Sequence, residues 1–226
     1  MNKKILAALT VLALVTLACA LPSLGGRYTT GSDDGGSVVD NNLLFMDDFS
    51  DTGSGWDRYQ DDLASTDYFN DAYRIQVFTP AYWAWATPYQ DFSGDVRVTV
   101  HGTMRGGPLD NAFGVICRHK DVENFYLFMI SSDGYVGIGR RINGSDLELI
   151  SGDSLVTSDA ILQGQGATNA IQADCIGSTL TLTVNGTQVL TVTDTSLTSG
   201  DVGLAASTFS ESGVDILFDN FTVMRP

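Results

Sequence analysis

Ser178-Thr179-Leu180-Thr181-Leu182-Thr183-Val184-Asn185-Gly186-Thr187-Gln188-Val189-Leu190-Thr191-Val192 holds two alternating runs joined by Asn-Gly. Leu180, Leu182 and Val184 share one parity and the threonines take the other, which is the period of a half-buried strand. Asn-Gly supplies the two positive-φ centres of a type I′ turn, so the stretch predicts an antiparallel hairpin. The same device recurs on either side. Asp133-Gly134 separates the apolar residues 125–131 from 135–140, and Asn143-Gly144 precedes 147–150. Val96, Val98 and Val100 alternate with polar partners. Residues 158–163 are the nearest helical candidate and are too short to hold one.

Composition agrees with this reading. Gly, Ser, Thr, Asn and Asp are abundant and there are only 5 prolines, as expected of many short strands joined by tight turns. We therefore expect an all-β chain of about 12 to 13 strands. At this size an antiparallel chain packs two sheets face to face, a β-sandwich, or closes into a barrel. The segment Phe125-Tyr126-Leu127-Phe128-Met129-Ile130 is apolar at both parities and predicts a central strand covered on both faces.

The acids outnumber the bases, 27 to 12, for a formal net charge of −15. This balance argues against a nucleic-acid partner, which needs a basic footprint, and against electrostatic docking on anionic lipid. Of the acids only Glu123, Glu148 and Glu211 are glutamates.

The N-terminus carries Lys3 and Lys4, an uncharged run over 5–18, and then Cys19. The run is too short to span a bilayer, and the order of charge, apolar centre and small residue describes a secretory leader. The Ala18-Cys19 junction resembles a bacterial lipoprotein signal peptide, although Thr16 stands where that family has Leu. The resemblance implies cleavage after residue 18, a diacylglycerol on the Cys19 sulfur, and an exported protein held to a lipid bilayer, on the cell surface or in the periplasm. Simple secretion is the alternative. Loss of residues 1–18 removes two lysines and no acid, which moves the net charge from −15 to −17. Residues 19–42, with Gly25-Gly26 and the run from Thr29 to Ser37, read as a flexible tether, and 43–226 as one domain.

With Cys19 assigned to lipid, Cys117 and Cys175 remain. Each shares parity with apolar neighbours, so both thiols face the core. In an oxidising compartment they are placed to form a disulfide; two separate buried thiols are the alternative.

Three blocks resemble a known family. They are Phe45-Met46-Asp47-Asp48-Phe49-Ser50 with Gly55-Trp56; Gly114 to Arg118 with Asn124-Phe125-Tyr126, Ser132-Asp133-Gly134-Tyr135 and Arg140; and Gly200 to Leu204 with Phe218-Asp219-Asn220-Phe221. Together they are similar to the concanavalin A-like lectin/glucanase (laminin G-like) jelly rolls of bacterial surface proteins, and to the related 3-keto-disaccharide hydrolase domain. The resemblance covers residues 43–225. It implies a two-sheet concanavalin A-like jelly roll. The functions it carries are sugar binding, adhesion or glycoside hydrolysis, among which fold alone does not choose.

Retaining glycosidases need two carboxyl groups about 5 Å apart, and the paired glutamates of jelly-roll glucanases have no match here. Asp47-Asp48 and Asp61-Asp62 are strand neighbours that point to opposite faces. His101 reads as a solvent-face residue and His119 as part of a polar loop. The stretch from Thr79 to Tyr89 concentrates Tyr82, Trp83, Trp85 and Tyr89. If extended, Trp83 and Trp85 share one face, as a sugar-stacking site requires; core packing is the alternative. Tyr126 and Phe128 are candidates to extend that site. Asp47, Asp48, Asp219 and Asn220 lie on the first and last strands and are candidate ligands for a structural Ca²⁺; solvated turn carboxylates are the alternative. The leading expectation is a lipid-anchored, non-catalytic module for carbohydrate or another envelope polymer. A glycoside-processing hydrolase and a structural or adhesive envelope protein are the alternatives, the last with a surface protein as partner.

Overall fold

The computed structural model describes residues 41–226. The leader, Cys19 and nearly all of the tether lie outside the described residues. Sixteen strands, numbered in chain order, form two antiparallel sheets, and no helix occurs among the described residues. The nine-stranded sheet runs β14 (Thr187–Thr193), β13 (Thr179–Val184), β12 (Thr168–Ile176), β6 (Val96–Gly106), β16 (Val214–Met224), β4 (Tyr73–Val77), β3 (Ala64–Tyr68), β2 (Tyr59–Gln60). Its ninth strand, β1 (Leu43–Asp47), pairs with the C-terminal half of β16. First and last strands thus meet.

The seven-stranded sheet runs β10 (Glu148–Leu149), β9 (Tyr135–Arg141), β8 (Asn124–Ile130), β7 (Asn111–Asp121), β15 (Asp201–Thr208), β5 (Trp83–Ala86). β11 (Val156–Thr157) pairs with the start of β9. The total exceeds the expected 12 to 13 because β2, β10 and β11 have two residues each. A pair of residues has no period to read.

The turns form where the sequence demanded them, except that at Asp133-Gly134 only Gly134 takes a positive φ, of 101°, so that turn is not type I′. Asn185 and Gly186 take φ of 50° and 80°, and Asn143 and Gly144 take 53° and 72°. The valines of β6 and the Leu180, Leu182 and Val184 side chains of β13 point inward to one core between the sheets. Cys117 on β7 and Cys175 on β12 are both fully buried and form a disulfide with Cα atoms 6.9 Å apart. The bond ties one sheet to the other.

Asp47, expected as a calcium ligand, has a different task. Its Oδ1 accepts the Phe49 N–H at 2.7 Å. Its Oδ2 accepts from Trp56 Nε1 at 2.9 Å and Ser54 Oγ at 2.5 Å. The carboxylate is buried and saturated, and it seats Trp56 against Phe49 and Phe221, at ring-centroid distances of 5.3 and 4.9 Å. Asp48 accepts from the Ser50 N–H and hydroxyl, and Asp219 from the Asn220 N–H. The four residues therefore do not converge as a cage, and among the described residues no group of three or more His, Cys, Asp or Glu side chains is placed to hold a metal. The donor set does not fit Ca²⁺ here.

Candidate functional site

β8 has no polar parity, and the structure shows where each set goes. Tyr126, Phe128 and Ile130 face the inter-sheet core. Phe125, Leu127 and Met129 face away from it, in a second apolar cluster with Ile116, Ala112 and Ala205. The outer face of the seven-stranded sheet is therefore apolar at its centre. Tyr126, expected at the ligand site, belongs to the wrong parity: it is fully buried, its hydroxyl donating to Asp194 Oδ1 at 2.5 Å and accepting from the Leu197 N–H at 3.0 Å. Phe128 is buried beside it, so neither extends the groove.

β5 forms one wall. Its alternation is inverted relative to an ordinary strand, with Ala84 and Ala86 buried in the core and Trp83 and Trp85 half-buried on the outer face. The two alanines belong to the same core cluster as the large rings of Phe49, Trp56, Tyr68 and Tyr73. Trp85 stands opposite Ala205 on β15, and its ring lies 6.2 Å from that of Phe125. Residue 114 on β7 must be Gly, since a Cβ there would come within 2.0 Å of the Phe128 carbonyl oxygen.

The opposite wall comes from the segment after β9. Its Leu155 packs over Gly137 and its Leu147 over Gly139, where added Cβ atoms would approach to 2.4 and 3.2 Å. The result is a groove of about 340 Å³ floored by Ile116, Leu127 and Phe125, with Trp83 and Trp85 on one side and Leu147, Asp146 and Arg141 on the other.

A second hollow, of about 520 Å³, adjoins it along the same two indoles. Tyr82 lines it, together with Tyr59 and Tyr89. Its polar groups arrive from two loops. Asp57 and Asp61 flank β2; His119 and Asp121 end β7. A β-bulge delivers the second pair: Arg118 takes φ of 54° and the β7–β8 register slips between Cys117 and Asp121. The slip lets Arg118 turn inward, 2% exposed, where it donates to the carbonyls of Leu197 and Gly177 at 2.8 Å each. It also brings His119 to the outer face, its ring 6.0 Å from Phe125.

Burial is the main influence on His119 and holds its imidazole below the ordinary histidine range, against the opposing pull of Asp121 and Asp57. The Asp61 carboxylate accepts N–H bonds from Leu63 and Ala64 at 2.7 and 2.9 Å, and Asp121 accepts from Asn124 Nδ2 and the Glu123 N–H at 2.9 and 2.8 Å. These bonds hold both carboxyls below their usual range. Just beyond, Asp201 shares a hollow with His119 and Tyr89. Burial pushes its carboxyl up to about 6, offset in part by N–H bonds from Val202, Gln90 and Tyr89 and the Thr87 hydroxyl.

Trp83, Trp85 and Tyr82 were legible as an aromatic cluster. Asp57, Asp61, His119 and Asp121 were missed as a group, because only the fold brings the two loops together. His101 lies on the other sheet, exposed, near Asn220.

No protein-family model matches the chain, and no curated protein matches it. Solved structures do. The carbohydrate binding module CBM66 from Bacillus subtilis matches at 15% identity over 81% of this chain and 97% of that one, with a TM-score of 0.50. The beta-glucanase of Bacillus licheniformis matches at 10% identity over 82% and 99%, with a TM-score of 0.57. The exoplasmic/lumenal domain of VIP36, in its Ca²⁺/Man3GlcNAc-bound form, matches at 15% identity over 76% and 84%, with a TM-score of 0.53. At these identities the likeness is one of fold: the chain is an all-β, two-sheet jelly roll.

Proposed function

We propose that this chain is a non-catalytic carbohydrate-binding module that seats a sugar chain on the outer face of its seven-stranded sheet. One observation carries the reading: on β5 the indoles of Trp83 and Trp85 point away from the core while alanines point into it. Large aromatic side chains on the outer side of a finished sandwich contribute little to its core, and the flat C–H faces of sugar rings stack on them. The polar rim of Asp57, Asp61, Asp121, Arg141 and Asp146 supplies hydrogen-bonding groups for hydroxyls. That fold neighbours include a carbohydrate binding module and a Man3GlcNAc-bound domain supports the same reading.

Calorimetric titration against a panel of neutral and charged oligosaccharides tests it. Trp83→Ala and Trp85→Ala are each expected to weaken binding by about tenfold or more, the loss of one stacking contact of ~1–2 kcal/mol. Unchanged affinity in both variants contradicts the site.

Display at a membrane is part of the proposal. The leader and Cys19 support a diacylated anchor, since two acyl chains hold stably where one does not. A Cys19→Ser variant is expected to leave the membrane fraction; retention there contradicts the anchor.

A second reading, a glycoside-processing hydrolase, is favoured by the carboxyl of Asp201, pushed up to about 6 beside His119. A proton donor near neutrality is what leaving-group protonation needs. Product release from oligosaccharides, abolished in Asp201→Asn, would establish it; the binding-module reading expects no product.

A further inference from the structure

The hollow beside the indoles has a charge that stacking alone does not require. Its lining includes three carboxylates, Asp57, Asp61 and Asp121, and no lysine or arginine. His119 is its basic side chain, and burial favours the uncharged form of that imidazole. Among the described residues five arginines pair with other acids, Arg58 with Asp67, Arg74 with Asp215, Arg97 with Asp174, Arg118 with Asp95 and Arg140 with Asp194 and Glu148, and Arg141 lines the adjoining groove. Among the described residues no ion pair involves Asp57, Asp61 or Asp121. The N–H bonds that hold Asp61 and Asp121 in place also keep them ionised. Asp57 is fixed in the same rim by the Thr87 N–H at 3.0 Å and the Tyr89 hydroxyl.

The cavity and the outward indoles make the site; the carboxylates select its occupant. Three like charges around one hollow repel an anionic chain such as a uronate or sulfated glycan. A neutral sugar can hydrogen-bond to them but leaves the charge uncompensated. A protonated amine compensates it, and an ammonium is also attracted to the faces of adjacent aromatic rings, by about 0.5–2 kcal/mol.

We propose that the hollow takes a cationic amino-sugar chain, a polymer of hexosamine units with free amines, whose rings stack on Trp83 and Trp85 while its ammonium groups meet Asp61 and Asp121. This rests on the carbohydrate reading above and narrows it to a ligand class.

The test uses the unmodified chain first. Glucosamine, N-acetylglucosamine and galacturonic acid tetramers are titrated calorimetrically at about pH 6, at low and at physiological salt. The glucosamine tetramer is expected to bind at least about tenfold tighter than its N-acetylated counterpart, with affinity falling as salt rises, and the galacturonate tetramer not to bind. The double variant Asp61→Asn/Asp121→Asn is expected to erase that preference, so that the two hexosamine tetramers bind it alike and salt no longer discriminates between them. Equal affinity for the two hexosamine tetramers, or a preference that survives both substitutions in a folded variant, overturns the amino-sugar proposal and leaves the carbohydrate reading standing. Failure of the whole oligosaccharide panel, neutral chains included, overturns both.

Discussion

The two sheets carry different kinds of outer face, one open to solvent and one largely covered by the chain's own loops. On the nine-stranded sheet threonines and paired charges dominate the outward positions, with Leu217, Met46 and Ile176 scattered among them. Thr99 meets Thr222 at 2.5 Å, Thr103 meets Thr168 at 2.7 Å, and Arg97 and Arg74 each grip an aspartate with two nitrogens. On the seven-stranded sheet the outward residues are Phe125, Leu127, Met129, Ile116, Trp83 and Trp85. A sandwich needs only its two inner faces to be apolar. The nine-stranded face shows that this chain can make an inert outer surface from threonine and paired charge. On the partner sheet the chain itself covers most of the apolar face with Leu147, Leu149 and Leu155, and what is left half-buried at its edge is the pair Trp83 and Trp85, which wall the groove.

The largest effect expected to sharpen this contrast is on the inner face of β8. Phe128→Ala removes a fully buried ring and should cost about 3–5 kcal/mol in denaturant unfolding, without a change of ligand affinity in the folded fraction. Loss of binding at preserved fold would mean that the inner and outer parities have been assigned the wrong way round. The disulfide comes next. It closes a loop across 58 residues between the inner faces, and the double variant Cys117→Ala/Cys175→Ala should lose about 4 kcal/mol on chain-entropy grounds. An unchanged unfolding midpoint under oxidising conditions would show that the bond does not stabilise the sandwich.

Smaller effects belong to the surfaces. Asp201, at the groove end, carries a carboxyl raised by burial to about 6. Its folded value lies above the unfolded one, so its contribution to stability is complete below about pH 4 and is lost as pH rises through 6. Carboxyl NMR should place its midpoint near 6; a midpoint near 4 would remove the asymmetry. Smallest of all, Thr99→Ala on the nine-stranded face should change stability by less than about 1 kcal/mol and leave binding untouched. A loss of affinity there would move the binding face to the other sheet.

What the sequence revealed and what it hid follow from the same period of two. Asn185-Gly186 and the alternation of Leu180, Leu182 and Val184 specified a hairpin and its inward side, because one parity was polar. Trp83 and Trp85 were visibly on one face of β5. Which face was hidden, since alanine is as compatible with a core as tryptophan. β8 has no polar parity at all, which is why Tyr126 was expected in the groove and sits in the core instead. The bulge at Arg118 breaks the alternation and delivers His119 to the outer face, which strict counting from Cys117 would have placed inward. Asp47 looked like a cation ligand among neighbouring acids, and its hydrogen bond to Trp56 Nε1 depends on a fold that local pattern does not describe.

The described residues include three tryptophans in two environments. Trp56 is 4% exposed and bonded to Asp47, whereas Trp83 and Trp85 wall the groove. Titration of an oligosaccharide that calorimetry shows to bind, followed through the indole N–H resonances, tests the central claim most directly. The resonances of Trp83 and Trp85 should move with saturation while that of Trp56 stays in place. Saturation that leaves Trp83 and Trp85 unmoved would place the ligand elsewhere and contradict the account.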